Sequence, residues 1–144
     1  MEREETAESQ EMPDPRRAIG FRGEDLAAEH LREKDWEIIA RNYETNLGEL
    51  DMVARYFERL YGRTEETIAF VEVKTRRTES GPPPEVGVDR RKRTKIVRLA
   101  KLFLQREKIR RVNVQFDVVA VDLSGEEPEI VHFEGAFDAD AAVW

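Results

Sequence analysis

The sequence predicts an α/β domain: a mixed sheet with helices packed on it. Three observations carry that reading. Apolar residues recur with helical spacing in residues 20–34 and 89–108. Short β-branched and aromatic segments recur at Trp36–Tyr43, 49–56, 67–75, Val112–Val121 and Glu129–Glu134. The connections among the first three strands are short, which predicts an antiparallel meander. The 144 residues suit one domain with one sizeable core.

The first helix is expected over 20–34, where Ala27, Ala28 and Leu31 share an inward stripe. Glu24 lies three and four residues before the alanines, so its carboxylate heads the same stripe; an acid serving the helix dipole is the plain alternative. Three strands follow, with a turn over Asn42–Gly48 and a polar connection over Tyr56–Glu66. Pro82, Pro83 and Pro84 exclude regular structure from the 76–88 loop, which is either a substrate-facing flap or a plain linker. In the second helix Ile96, Leu99, Ala100 and Phe103 face inward, and Lys92 prolongs their stripe by one turn. Val112–Val121 is apolar on both faces toward its end, as an interior strand would be. The domain is expected over 18–134, after a disordered acidic arm at 1–17 and before an acidic tail at 135–144.

Composition narrows the chemistry. There is no cysteine, so disulfides, thiolate zinc sites and cysteine nucleophiles are excluded. Two histidines are too few for a histidine-rich metal site. No stretch approaches the ~20 apolar residues of a membrane span, and the N-terminal stretch has no signal-peptide character. A soluble cytoplasmic protein with no membrane partner is expected. The net charge of -7 argues against nucleic acid taken alone, but its distribution does not. Residues 89–111 hold eleven Lys or Arg against two acids, between acidic ends. Ordinary helix surfaces mix both signs. The basic helix therefore reads as a phosphate-binding band, with a solvated charged face as the bland alternative.

The chemistry centres on Gly48–Arg76. Alternation along strands puts Glu72 and Lys74 on one face and Val71 and Val73 on the other. Glu49, Asp51 and Val53 are expected to share a face opposite Leu50, Met52 and Ala54. If the two strands pair, Asp51 and Glu72 lie side by side with Lys74 next to them. Two carboxylates can hold Mg²⁺ or Mn²⁺, and Lys74 can orient a water or stabilise charge on a phosphate. A cross-strand salt-bridge ladder is the competing reading. Ile68 and Phe70 on the same face argue for a pocket rim instead.

The pattern Gly20-x-x-Gly23-Glu24-x-x-Ala27, Gly48-Glu49-Leu50-Asp51-Met52-Val53, Val71-Glu72-Val73-Lys74-x-Arg76 and Lys92 resembles the bacterial YraN-like family of predicted endonucleases. That family belongs to the PD-(D/E)XK, or restriction-endonuclease-like, superfamily and is similar to archaeal Holliday-junction resolvases. The resemblance implies an αβββαβ core and Mg²⁺-dependent hydrolysis of DNA phosphodiesters. It implies that Asp51, Glu72 and Glu24 bind metal with the Val73 carbonyl, and that Lys74 serves the attacking water. It further implies that Lys92, Arg76, Arg91, Arg93 and Lys95 hold the nucleic-acid backbone. Gln115-Phe116-Asp117 stands where the family usually has Arg-Phe-Asp. The leading expectation is an endonuclease of duplex or branched DNA. A nucleic-acid-binding module with a weak or inactive site is the alternative, and a homodimer formed through the acidic ends and the basic helix is a third reading.

Overall fold

A computed structural model describes residues 15–77 and 88–139. Its elements run α1 (Pro15–Glu33), β1 (Glu37–Thr45), β2 (Gly48–Leu60), β3 (Arg63–Arg76), α2 (Arg90–Arg106), β4 (Asn113–Asp122) and β5 (Glu129–Phe137). The strands form one sheet in the order β1-β2-β3-β4-β5. β3 and β4 are parallel and the other pairs antiparallel. A parallel pair needs a crossover, and the segment carrying α2 supplies it. The α/β class, the mixed sheet and the order of elements are as expected, in a restriction-endonuclease-like arrangement with β5 added at the far edge.

Each face of the sheet carries one core. On one side Ile96, Leu99, Ala100 and Phe103 of α2 pack on Val53, Phe70, Phe116 and Val118. On the other, Ala27, Ala28 and Leu31 of α1 pack on Met52, Ala54, Val71, Val119 and Val121. An aromatic row crosses the α2 side: Tyr43 to Phe103 at 5.1 Å, Phe103 to Phe70 at 6.0 Å, Phe70 to Phe116 at 5.8 Å and Phe116 to Phe137 at 5.1 Å. Each of its four buried phenylalanines contributes about 1.5–3 kcal/mol.

Both helices stop without glycine. Asp35 is left-handed at φ 72°, with Asp35 N–H donating to the Arg32 carbonyl and Trp36 N–H to the Leu31 carbonyl. Lys108, at φ 57°, does the same after α2, with Ile109 N–H donating to Leu104. These are Schellman stops, and Trp36 and Ile109 add the apolar contact that goes with them.

The structure corrects four element readings. Tyr56–Glu66 is not a polar connection. β2 and β3 continue through it to a two-residue turn at Tyr61-Gly62, both at positive φ, as a tight hairpin requires. β1 pairing ends at Arg55 and β4 pairing starts at Thr67, so residues 57–66 pair only with each other and project as an arm. Leu50 faces the α2 core with Val53 rather than the face of Met52 and Ala54, because regular alternation breaks between them. α1 opens at Pro15, within the stretch read as an arm, and β5 runs to the buried Phe137, within the stretch read as a tail. Residues 1–14, 78–87 of the proline loop and 140–144 lie outside the described residues.

Candidate active site

The β2–β3 ladder ends at the pair Met52–Val71. Beyond it the Asp51 carboxylate, not a strand carbonyl, accepts from the Val73 backbone N–H at 2.9 Å. This side-chain bond fixes Asp51 against β3 beside Glu72. Glu72 sits on the α2 face of β3, next along that face from the buried Phe70. Its side chain is only 12% exposed and ion-pairs with Lys92 Nζ at 2.5 Å. Lys74 is half-buried two residues further along the strand.

Glu24 is brought to the same end of the sheet by α1. A Cβ on Gly23 would overlap Thr75 Oγ1 of β3, so only glycine lets the helix approach this closely. Glu24 is then 17% exposed and 3.9 Å from Arg41. With its amide oriented to donate, Asn42 bridges Glu24 Oε1 at 3.2 Å and Glu49 Oε2 at 3.1 Å. Asn42 holds a left-handed φ of 52°, which asparagine tolerates. Asn42 and Arg41 are site residues that sequence reasoning missed. Asn42 lies in the expected turn, and nothing in the sequence announces its two acid partners.

Electrostatics mark these groups out. Burial, then the Glu72 charge, pushes the Asp51 carboxyl up to about 7, with Glu24 adding to it and the Val73 hydrogen bond and Lys92 opposing. Burial also raises Glu24 against the lowering effects of Asn42 and Arg41. Lys92 loses by burial, but the Glu72 hydrogen bond and charge, with Asp51 and Asp89, outweigh that and raise its pKa. An Asp whose ionisation is disfavoured by burial and a specific charged neighbour is a functional-site candidate.

Among the described residues, no three acid or histidine side chains are grouped so as to hold a metal ion by themselves. The donor set does fit Mg²⁺, which keeps several waters and takes one or two carboxylates plus substrate phosphates. Asp51 and Glu72 are such a pair, and a bound cation would favour the ionised Asp51 that burial and the Glu72 charge oppose.

The basic residues fall into separate places. Arg91, Lys95 and Arg98 line a groove of about 640 Å³ on α2 with the exposed Leu47 of the β1–β2 turn. Arg93 lines a second concavity, about 490 Å³, with Phe137 and Asp138. Arg76 is 3.7 Å from Asp122 and its carbonyl accepts from Leu123 N–H at 2.8 Å. Lys92 turns inward to Glu72.

Asp117, left without a role by the sequence, is wholly buried on the α1 face. It accepts from Gln115 Nε2 at 3.0 Å and Gly135 N–H at 2.9 Å, and lies 2.7 Å from His132 Nε2. It holds the β5 bulge, away from the Glu72 face.

Residues 23–121 match the family described as uncharacterised protein family UPF0102. The chain belongs to the UPF0102 family. It is similar to a UPF0102 protein of Syntrophotalea carbinolica, 42% identical over 125 residues, covering 87% of this chain and 95% of the relative. A UPF0102 protein of Geobacter sulfurreducens is 40% identical over 121 residues, 83% and 88% of the two chains. One of Nocardia farcinica is 41% identical over 123 residues, 85% and 91%. The UPF0102 match takes in Glu24, Asp51, Glu72, Lys74 and Lys92 and ends before β5. None of the helices is long and apolar enough to cross a membrane, among the described residues.

Proposed function

We propose that this protein is a Mg²⁺- or Mn²⁺-dependent endonuclease of the PD-(D/E)XK superfamily that hydrolyses DNA phosphodiester bonds, in duplex or branched substrates, in the cytoplasm. One observation carries the reading: Asp51 is pinned beside Glu72 where β2 and β3 part, and burial, then the Glu72 charge, pushes its carboxyl up. A bound Mg²⁺ would polarise the scissile phosphate and lower the pKa of a coordinated water. Asp51, Glu72 and the Val73 carbonyl would hold it, with Glu24 joining through water. Lys74, on the face of Glu72, would orient the attacking water and offset charge developing on the phosphate. The α2 groove would carry the backbone of the DNA.

The test is incubation of duplex, flap and four-way-junction DNA with folded protein and Mg²⁺ or Mn²⁺, alongside Glu72→Gln and Lys74→Met. Cutting that both substitutions abolish is the expected result. Failure to cut any substrate at any enzyme concentration rejects the reading.

A second reading is a nucleic-acid-binding module with an inactive site. It is favoured by the ion pair that occupies Glu72 and by the lack of a three-acid cage among the described residues. It predicts DNA binding that needs no metal and survives Glu72→Gln.

A further inference from the structure

The cation at Glu72 comes from the helix that carries the basic groove. Lys92 sits in the first turn of α2, three residues after the N-cap Asp89, whose side chain accepts from Lys92 N–H at 2.9 Å. A helix N-terminus disfavours positive side chains. Beyond the N-cap Asp89 the first turn of α2 holds no acid, so the ammonium is kept there chiefly by acids from the sheet, first of all Glu72. Lys92 is 49% exposed and Glu72 12%. The lysine reaches in from the open side and can leave without disturbing the core. Its neighbours Arg91 and Lys95 line the groove where a phosphate chain would lie.

We propose that Lys92 is a tethered counter-ion: its ammonium holds the place of the divalent cation at Glu72 and Asp51, and gives it up when a nucleic-acid phosphate draws the ammonium outward. This rests on the nuclease reading and adds its regulation. Two carboxylates with one ammonium carry one net negative charge. Replacing the ammonium by Mg²⁺ neutralises this pair, whereas holding both cations leaves the pair itself with one positive charge. The ammonium and the metal therefore compete for the Glu72 carboxylate. By reciprocity, DNA must tighten metal binding by the factor by which metal tightens DNA binding. The enzyme would load its metal more tightly on substrate than off it.

The test is calorimetric titration of Mn²⁺ into the full chain, with and without an uncleavable phosphorothioate duplex. Wild type, Lys92→Met, Lys92→Gln and Lys92→Arg are compared, each checked for folding by circular dichroism. The expected result is Mn²⁺ affinity at least about tenfold higher in Lys92→Met and Lys92→Gln than in wild type without DNA. Lys92→Arg, which keeps a cation, stays weak. DNA tightens Mn²⁺ binding in wild type and much less in Lys92→Met.

Equal or weaker Mn²⁺ binding in the neutral variants overturns the exchange. Should the neutral variants not fold, wild type alone decides, since Mn²⁺ affinity indifferent to DNA overturns it too. Wild type that cuts DNA while Lys92→Met binds Mn²⁺ no tighter leaves the nuclease reading standing without the exchange. Tighter Mn²⁺ binding in a protein that cuts nothing keeps the exchange and removes the nuclease.

Discussion

The Asp51 carboxylate accepts the Val73 backbone N–H at 2.9 Å, just past the last β2–β3 pair. One hydrogen bond thus does two things. It satisfies a strand donor where the ladder ends, and it fixes an acid next to Glu72 in a half-buried position. The hydrogen bond lowers the pKa of Asp51, yet burial and the Glu72 charge dominate and leave the carboxyl at about 7. Geometry that a plain strand would not need is kept at an electrostatic cost.

That cost gives a pH-dependent stability with a definite sign. Asp51 has a raised folded pKa, so between about pH 4 and pH 7 the unfolded chain is ionised there while the folded chain holds a proton. Stability from this group falls as pH rises through that window and is flat above it. Asp51→Asn removes the penalty but accepts more weakly from Val73. In EDTA at about pH 8 it is expected to raise stability by about 1–3 kcal/mol, and below about pH 4 to make little difference. Urea melts at the two pH values check this. Wild type equal to or more stable than Asp51→Asn at the higher pH would contradict it.

Gly23 and Thr75 set the approach of α1 to β3. Gly23→Ala drives a methyl into Thr75 Oγ1 and is expected to cost about 1–3 kcal/mol. Thr75→Ala removes the nearest atom, so the double substitution should recover part of the loss. Thermal melts of the four proteins measure the coupling. Strictly additive effects would mean that the helix does not rest on this pair.

The stripes on α1 and α2 were legible because burial there follows a simple period: Ala27, Ala28 and Leu31, and Ile96, Leu99 and Phe103, are all buried. The acid pair was legible for the same reason, since alternation on β3 places Glu72 beside Phe70. What periodicity cannot see is departure from it. Leu50 changed face because the strand is irregular there. The Tyr61-Gly62 turn carries a tyrosine at positive φ where Asn or Asp is the usual sign, so the arm was hidden. Lys92 was placed on the inward stripe correctly, but its partner lies 20 residues away in sequence. Asp117 and His132 meet because the β4–β5 register sets His132 opposite Val119, two residues along β4 from Asp117 on the same face.

The groove lined by Arg91, Lys95 and Arg98 should give DNA binding a steep salt dependence. Each of Arg91→Ala, Lys95→Ala and Arg98→Ala is expected to lower the slope of log Kd against log salt by about one unit for each phosphate no longer neutralised. Fluorescence anisotropy with a labelled duplex across a salt series reads it out. Glu72→Gln, which leaves the groove intact, should keep the wild-type slope. Unchanged slopes in all three alanine variants would place the DNA elsewhere.

Asp117 supplies the sharpest test of the edge strand. Its carboxylate is the shared acceptor for Gln115 Nε2 and Gly135 N–H and sits at His132 Nε2, all in a fully buried position. Asp117→Ala leaves these polar groups facing a void and is expected to cost about 3–5 kcal/mol. Asp117→Asn keeps the shape and one acceptor oxygen and should cost clearly less. The loss should be local first, because Asp117 is what ties the β5 bulge to β4 while Phe116 and Val118 beside it pack on the other face. Hydrogen exchange of Asp117→Asn should therefore speed up at Gly135 well before the amides of β3, Val73 among them. Uniform acceleration across the sheet would instead make Asp117 a support of the whole fold.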